Sequence, residues 1–422
     1  MLIKTPLMSN FKKSLKFINL ILIILLFSVK VQAQTDSVKK QNAAVSVAKP
    51  TEKKWFENIS IRGYTQIRYN RLFETNSDLV NEQGDKSIGN NGGFFIRRMR
   101  VIFYGQINSQ VYFYIQPDFA SSPSSDKLHF AQLRDAYFDL GLDKDNEYRI
   151  RVGQSKVPYG FENMQSSQNR LALDRNDALN SAVSNERDLG AFAYWAPKEK
   201  RALFNELVKS GLKGSGDYGI FAFGAYNGQT ANNPELNNNL HYAARLTYPV
   251  KINKQIIEAS IQGYTGDYVL TSSNLSTNVK RVKDLNYKDE RAAASFILYP
   301  QPFGFQAEYN IGRGPEFNKN TDSIEVQKLA GGYAQMMYNI KYKNHTIFPF
   351  VKYQYYNGGK KHEKDARSYN INDLELGVEW QPNKSFELTA CYTISSRRYE
   401  DFAKQDNLQE GRLLRLQAQL NF

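Results

Sequence analysis

The chain has 422 residues, 55 Lys+Arg against 42 Asp+Glu, four His and one Cys. A single cysteine excludes a disulfide framework and any multi-cysteine zinc or iron–sulfur site. Aromatics at 13%, with 27 Tyr and 26 Phe, exclude a disordered chain. A mean hydropathy of −0.56 excludes a helical membrane protein, but not a barrel that hides its apolar face in alternate residues.

Lys12, Lys13 and Lys16 precede an apolar run from Phe17 to Val29. That run is too short for a spanning helix, which needs about 20 residues. Val31-Gln32-Ala33 fits a small-residue cleavage site. Residues 1–33 therefore read as a secretory signal peptide. Its removal takes away five lysines and no acids and leaves a net charge of +8. Much of the basicity is thus targeting, and nucleic acid is not an expected partner. Residues 34–57 are largely polar and read as a flexible periplasmic leader.

From residue 58 to 422 one pattern repeats. Ile59, Ile61, Gly63, Thr65, Ile67 and Tyr69 alternate with Ser60, Arg62, Tyr64, Gln66, Arg68 and Asn70. Alternate strand residues lie on opposite faces, so one face suits lipid and the other water. The next segments repeat it, with Ile102 as a misfit and Pro117 marking a strand end. Sixteen strands are expected, starting near Ile59, Gly93, Val111, Leu128, Tyr148, Arg187, Tyr218, Leu240, Gln255, Lys288, Phe305, Gln327, His345, Ser368, Ser385 and Gly411. Long connections (73–92, 120–128, 160–187, 227–239, 267–288, 312–327, 357–368, 396–410) alternate with tight turns. Residues 197–217 break this rule on the short side, as a plug-like or amphipathic insert around Ala202–Lys209. The fold class is all-β. It is a transmembrane antiparallel β-barrel of about 16 strands, with long extracellular loops and short periplasmic turns, in the outer membrane of a Gram-negative-type bacterium. Such a barrel leaves an aqueous channel. The alternating end, Leu414 to Phe422, suits recognition by barrel assembly machinery through Phe422.

Arginine cannot face lipid without costing about 2–4 kcal/mol at the midplane. Arg62, Arg68, Arg98, Arg100, Arg149 and Arg151 lie on the polar faces of their strands, where a ladder of forked donors would bind and release small anions. Asp118, Asp135 and Asp139 share that lumen and mix the field. Four scattered histidines leave little for catalysis, and neither a metal nor a cofactor is expected. His129, near Asp126, and His362, in a charged loop, read as bland. No G-x-S-x-G motif occurs.

Several segments resemble the phosphate-selective porin O and P family. They are Phe95–Arg100, Leu133–Tyr137, Ala172–Asn176, Arg415–Gln417 and, most specifically, Arg151-Val152-Gly153-Gln154-Ser155-Lys156-Val157-Pro158-Tyr159-Gly160-Phe161-Glu162. The resemblance implies a 16-stranded homotrimeric porin with a basic lumen for phosphate or similar small anions. It matches Arg97 and Arg98 to the family's pore arginines. Strand alternation lets only one of the two face the lumen, so Arg98 is favoured and Arg97 is placed at the membrane edge or a subunit contact. It also implies that loop 160–187 folds inward, with Lys156 and Arg175 on its basic rim. Loop ion pairs, such as Arg175 with Asp174 or Asp177, are the alternative. A non-selective general diffusion porin, or an adhesin or enzyme barrel, are the competing functions.

Overall fold

The computed structural model describes residues 54–79, 92–120 and 130–422. The expected signal peptide, most of the leader, His129 and parts of the first two long loops lie outside the described residues.

Seventeen strand segments form one sheet. They are β1 (Ile59–Leu72), β2 (Phe94–Gln106), β3 (Val111–Asp118), β4 (Gln132–Gly141), β5 (Tyr148–Lys156), β6 (Arg187–Trp195), β7 (Phe221–Tyr226), β8 (His241–Ile252), β9 (Gln255–Val269), β10 (Asn286–Leu298), β11 (Phe303–Asn318), β12 (Ser323–Tyr338), β13 (Ile340–Tyr342), β14 (His345–Gly359), β15 (Ser368–Asn383), β16 (Phe386–Glu400) and β17 (Leu408–Asn421). β12 and β13 both pair with β14, so they form one interrupted stave and the barrel has sixteen. All neighbours are antiparallel, and β1 pairs with both β2 and β17, which closes the ring. The expected starts fall within four residues of the observed ones. The expected loop 312–327 is instead mostly hairpin, because β11 and β12 run on to a short turn at residues 319–322.

Alternation sorts the faces as the sequence requires. Ile61, Phe138, Leu189, Ile261, Tyr309 and Met336 are exposed on the outside, while Gln66, Asp139, Gln262 and Glu308 are buried inside. Ile102, the misfit, turns inward with Arg100 and is buried. Pro117 sits at the penultimate position of β3, where the register with β4 shifts.

A β-bulge corrects one expectation. Gln66 pairs with Arg98, but Ile67 pairs with Ile96, so Arg97 is the extra residue on β2. The extra residue breaks the period-2 rule. Arg97 and Arg98 therefore both turn inward, and both are buried. Arg97 does not lie on the outer surface.

Three short helices interrupt the strands: α1 (Phe161–Met164) and α2 (Asp177–Asn180) between β5 and β6, and α3 (Lys198–Lys209) between β6 and β7. α3 occupies the anomalous insert, at the end of the barrel that carries the tight turns. It buries Phe204 and Leu207 with Ile256, Ile297 and Tyr299. At the far end, Tyr268, Phe317 and Ile324 from the ends of β9, β11 and β12 share one apolar cluster with Val279 and Ala366 from the connections, and Phe402 packs against it.

Closure is tight at Gly63. Its N–H donates to the Phe422 carbonyl at 2.8 Å, and the Phe422 N–H returns the bond at 3.0 Å. A Cβ on Gly63 would lie 2.5 Å from both the Arg100 carbonyl oxygen and the Phe422 ring. Gly63→Val should lower folded stability by about 1–3 kcal/mol, the usual cost of overpacking. The urea midpoint of the detergent-folded barrel measures this.

Candidate functional site

The connection between β5 and β6 folds into the barrel. Nearly every residue from Val157 to Arg187 is buried. Gly160, at φ +82°, turns the chain into α1. The N–H groups of Phe161 and Glu162 then donate to the Glu308 carboxylate on β11, at 2.6 and 2.7 Å. These are orphan donors of a helix start, and a carboxylate is their natural partner. Asn176 caps α2 through the Leu179 N–H.

The loop's own carboxylates are held by wall cations. Asp174 pairs with Arg68 of β1 at 3.2 Å and with Arg415 of β17. Asp177 pairs with Arg397 of β16 at 3.0 Å and with Lys360, just past β14, at 2.7 Å. Glu162 pairs with Lys352 of β14 at 2.5 Å and accepts the Asn176 backbone N–H and side-chain amide, both at 2.7 Å. Gln66 and Gln419 donate to the Ser167 and Gln168 carbonyls, both at 3.2 Å. Arg291 of β10 donates to Ser181 Oγ at 2.7 Å. The loop thus leaves the β5–β6 wall and is fastened to the opposite one. Burial works to raise the Asp177 carboxyl, but Arg397 and Lys360 outweigh it and hold it below its ordinary range. Lys352 and Arg170 do the same for Glu162 against its burial.

This geometry redistributes the nine candidate cations. Arg68 serves Asp174 and also donates to Gln417 at 2.7 Å. Arg98 donates to Gln66 at 3.0 Å. Arg100 pairs with Asp118 and donates to the Tyr64 hydroxyl, each at 2.8 Å. Arg151 forms a fork to Asp139 at 2.6 and 2.8 Å, and Arg149 pairs with Asp217 at 2.8 Å. Lys156 is not on a rim. It is buried and donates to the Met164 and Gln165 carbonyls at 2.6 and 2.9 Å. Arg175 is likewise buried and pairs with Glu186 at 2.9 Å. Only Arg62 makes neither a hydrogen bond nor an ion pair among the described residues; its guanidinium lies 5.4 Å from the Tyr104 ring centroid.

Arg62 begins a row that crosses five strands. Tyr104 of β2, Tyr114 of β3 and Tyr137 of β4 stand side by side, with centroids 6.5 and 5.2 Å apart. Arg151 of β5 covers the last ring at 3.9 Å. These tyrosines are only half-buried, whereas the inner faces of β8–β12 are packed. Water therefore reaches the inner wall of β1–β4 at this row, near the tight turns; further along the same strands Gln66, Arg68, Arg98, Arg100, Asp118 and Asp135 are buried.

Sequence reading missed Arg291, Lys352, Lys360, Arg397 and Arg415, which do most of the clamping. All but Lys360 sit on strands that alternate cleanly, so their inward placement was legible, but their partners lie on a loop with no periodicity. His362 is not bland. Burial, with help from Lys361, pushes its imidazole well below the ordinary value. It accepts the Ser184 N–H at Nε2 (3.3 Å) and contacts the Tyr268 hydroxyl through Nδ1 (3.1 Å), which ties the inward loop to the far-end cluster.

The phosphate-selective porin O and P family model matches residues 73–422. The chain belongs to this family. No curated protein matches it. Among solved structures, the outer membrane channel DcaP of Acinetobacter baumannii is similar at TM-score 0.53 and 13% identity, over 86% of this chain and 97% of that one. OmpF of Salmonella typhi, in complex with daunomycin, gives 0.51 at 12% identity, over 86% and 98%. The trimer form of OmpT from Vibrio cholerae gives 0.50 at 10%, over 86% and 99%. These likenesses carry the fold. With the family, they make this chain an outer-membrane porin.

Two outcomes are expected of this porin. Asp174→Asn leaves Arg68 and Arg415 buried without their shared partner, which should cost about 3 kcal/mol and loosen the loop; single-channel conductance should rise. The carboxylates of Glu162 and Asp177 have folded values below their ordinary ones, so the clamp's stability is complete above pH about 4 and is lost as pH falls through the depressed values. Conductance should change as pH falls below about 4, as bilayer recordings taken downward from neutral pH would show.

Proposed function

We propose that the protein passes small anions, phosphate among them, across the outer membrane through a mildly anion-selective channel. One observation carries this reading: Arg62, unpaired among the described residues, stands on the half-exposed wall that borders the water path. Arginine keeps its charge at any working pH, and a single moderate site lets an anion enter and leave. The nine candidates act differently from one another. Arg62 contacts the solute, Arg98 and Arg100 shape the wall beside it, and Arg68, Lys156 and Arg175 position the loop. Arg97, Arg149 and Arg151 contribute to the field from the wall.

A general diffusion porin is the second reading, and one observation favours it. Buried lysines and arginines only slightly outnumber buried aspartates and glutamates among the described residues.

The channel works as a homotrimer, as the family implies. β7 has six residues and β3 eight. At about 3.3 Å per residue, β7 covers about 20 Å, less than the apolar band of about 25 Å. Neighbouring copies against β3–β7 would shield that short wall from lipid. Residues 1–33 direct export, and the exposed Phe422 is offered to the barrel assembly machinery.

Arg62→Ala should reduce the anion-to-cation permeability ratio by up to roughly fivefold, because one charge near a solute in water is worth about 1 kcal/mol. Reversal potentials across a salt gradient measure it. An unchanged ratio would leave the general diffusion reading.

A further inference from the structure

The insert between β6 and β7 builds a second polar site, at the turn end of the barrel. α3 is pinned there by Arg201, whose Nη1 donates to the Asp145 and Asn146 carbonyls at 3.1 and 2.7 Å. Lys200 donates to the Pro249 carbonyl at 2.7 Å. Between α3 and the inner faces of β2–β5 lies a cavity of about 350 Å³.

Its charges form an alternating row. Arg151 forks to Asp139, Arg149 reaches Asp139 at 4.0 Å and Asp217 at 2.8 Å, and Arg201 meets Asp217 at 2.9 Å. Three guanidiniums against two carboxylates leave one net positive charge. Asp217 stays ionised: burial works to raise it, but Arg149 and Arg201 hold it below its ordinary range. Arg149 Nε is buried and has no partner among the described residues. The amide side chains of Gln106, Gln110 and Asn205 line the same cavity and are exposed. None of the three donates or accepts a side-chain hydrogen bond among the described residues.

We propose that this cavity binds a small polyhydroxylated monoanion of the sugar-acid class. One net charge matches one carboxylate. A compact dianion would lie within reach of Asp139 or Asp217 and be repelled. The amides supply paired donors and acceptors, which suits neighbouring hydroxyls. The volume lies within the range of small-molecule sites, about 300–1,000 Å³, and exceeds what an inorganic anion fills. The proposal rests on the channel reading above but not on its anion preference.

The test is current block of the full folded protein in planar bilayers by glucuronate, glucose and inorganic phosphate. The half-blocking concentration of glucuronate is expected to be at least tenfold lower than that of the other two. Asn205→Ala combined with Gln106→Ala should raise it at least fivefold. Arg201→Gln should raise it further. Because Arg201 also pins α3, the amide pair, which holds nothing else in place, keeps the test sound if that variant misfolds. Equal block by phosphate and glucuronate, or by glucose and glucuronate, overturns the proposal, as does block unchanged in the amide double variant. Anion-selective reversal without glucuronate block sinks the site alone. Glucuronate block without anion selectivity supports the site and removes the anion reading. Should no channel form, calorimetric binding of glucuronate to the detergent-folded protein decides: binding lost in the double variant supports the site, and no binding overturns it.

Discussion

Charge pairing across the lumen decides what this barrel can do. A sixteen-stave ring is wide enough to stand open, and here a loop fills much of it. The loop brings carboxylates inward at Glu162, Asp174 and Asp177, and the wall answers with Lys352, Arg68, Arg415, Arg397 and Lys360. Buried pairs of this kind add little to net stability, but breaking one is costly. Their effect here is to fix where the loop lies. Cations that a sequence offers as solute sites thereby become structural, and only what they leave uncovered can meet a solute.

The fold was legible because the barrel's two faces differ so sharply. Ile59 to Asn70 states the pattern, and the same alternation places seven strand starts at the expected residue, among them Val111, Tyr148, Gln255 and Ser368. The site was legible only in outline. Inward parity put Arg62, Arg68, Arg100 and Arg151 on the polar face, and Arg68, Arg100 and Arg151 are buried there. Parity could not say who partners whom, because Asp174 and Arg415 are 241 residues apart. Nor could it foresee the bulge at Arg97, since nothing in an adjacent pair of arginines shows that one is surplus to the register. The family resemblance puts Lys156 and Arg175 on the basic rim of the inward loop. Both instead satisfy carbonyls left bare where the loop turns at Met164 and Gln165.

The consequence for transport is asymmetry. The walls from β8 to β12 are lined by packed side chains, whereas β1–β4 present half-exposed tyrosines. On the reading proposed above, a solute moving through the ring is drawn to that side at the turn end, where it meets Arg62, the tyrosine row and the arginines, carboxylates and amides gathered under α3.

The mutual bonds between Gly63 and Phe422 have a kinetic meaning. A sheet with two edges can unzip from either one, strand by strand. In this ring β1 is bonded on both sides, to β2 and to β17, so the first strand to leave must break two ladders at once. Loss of the native state then begins with the rarest event rather than the easiest. Residence time in the folded form, set by that barrier, can far exceed what the equilibrium balance of buried charges alone would suggest.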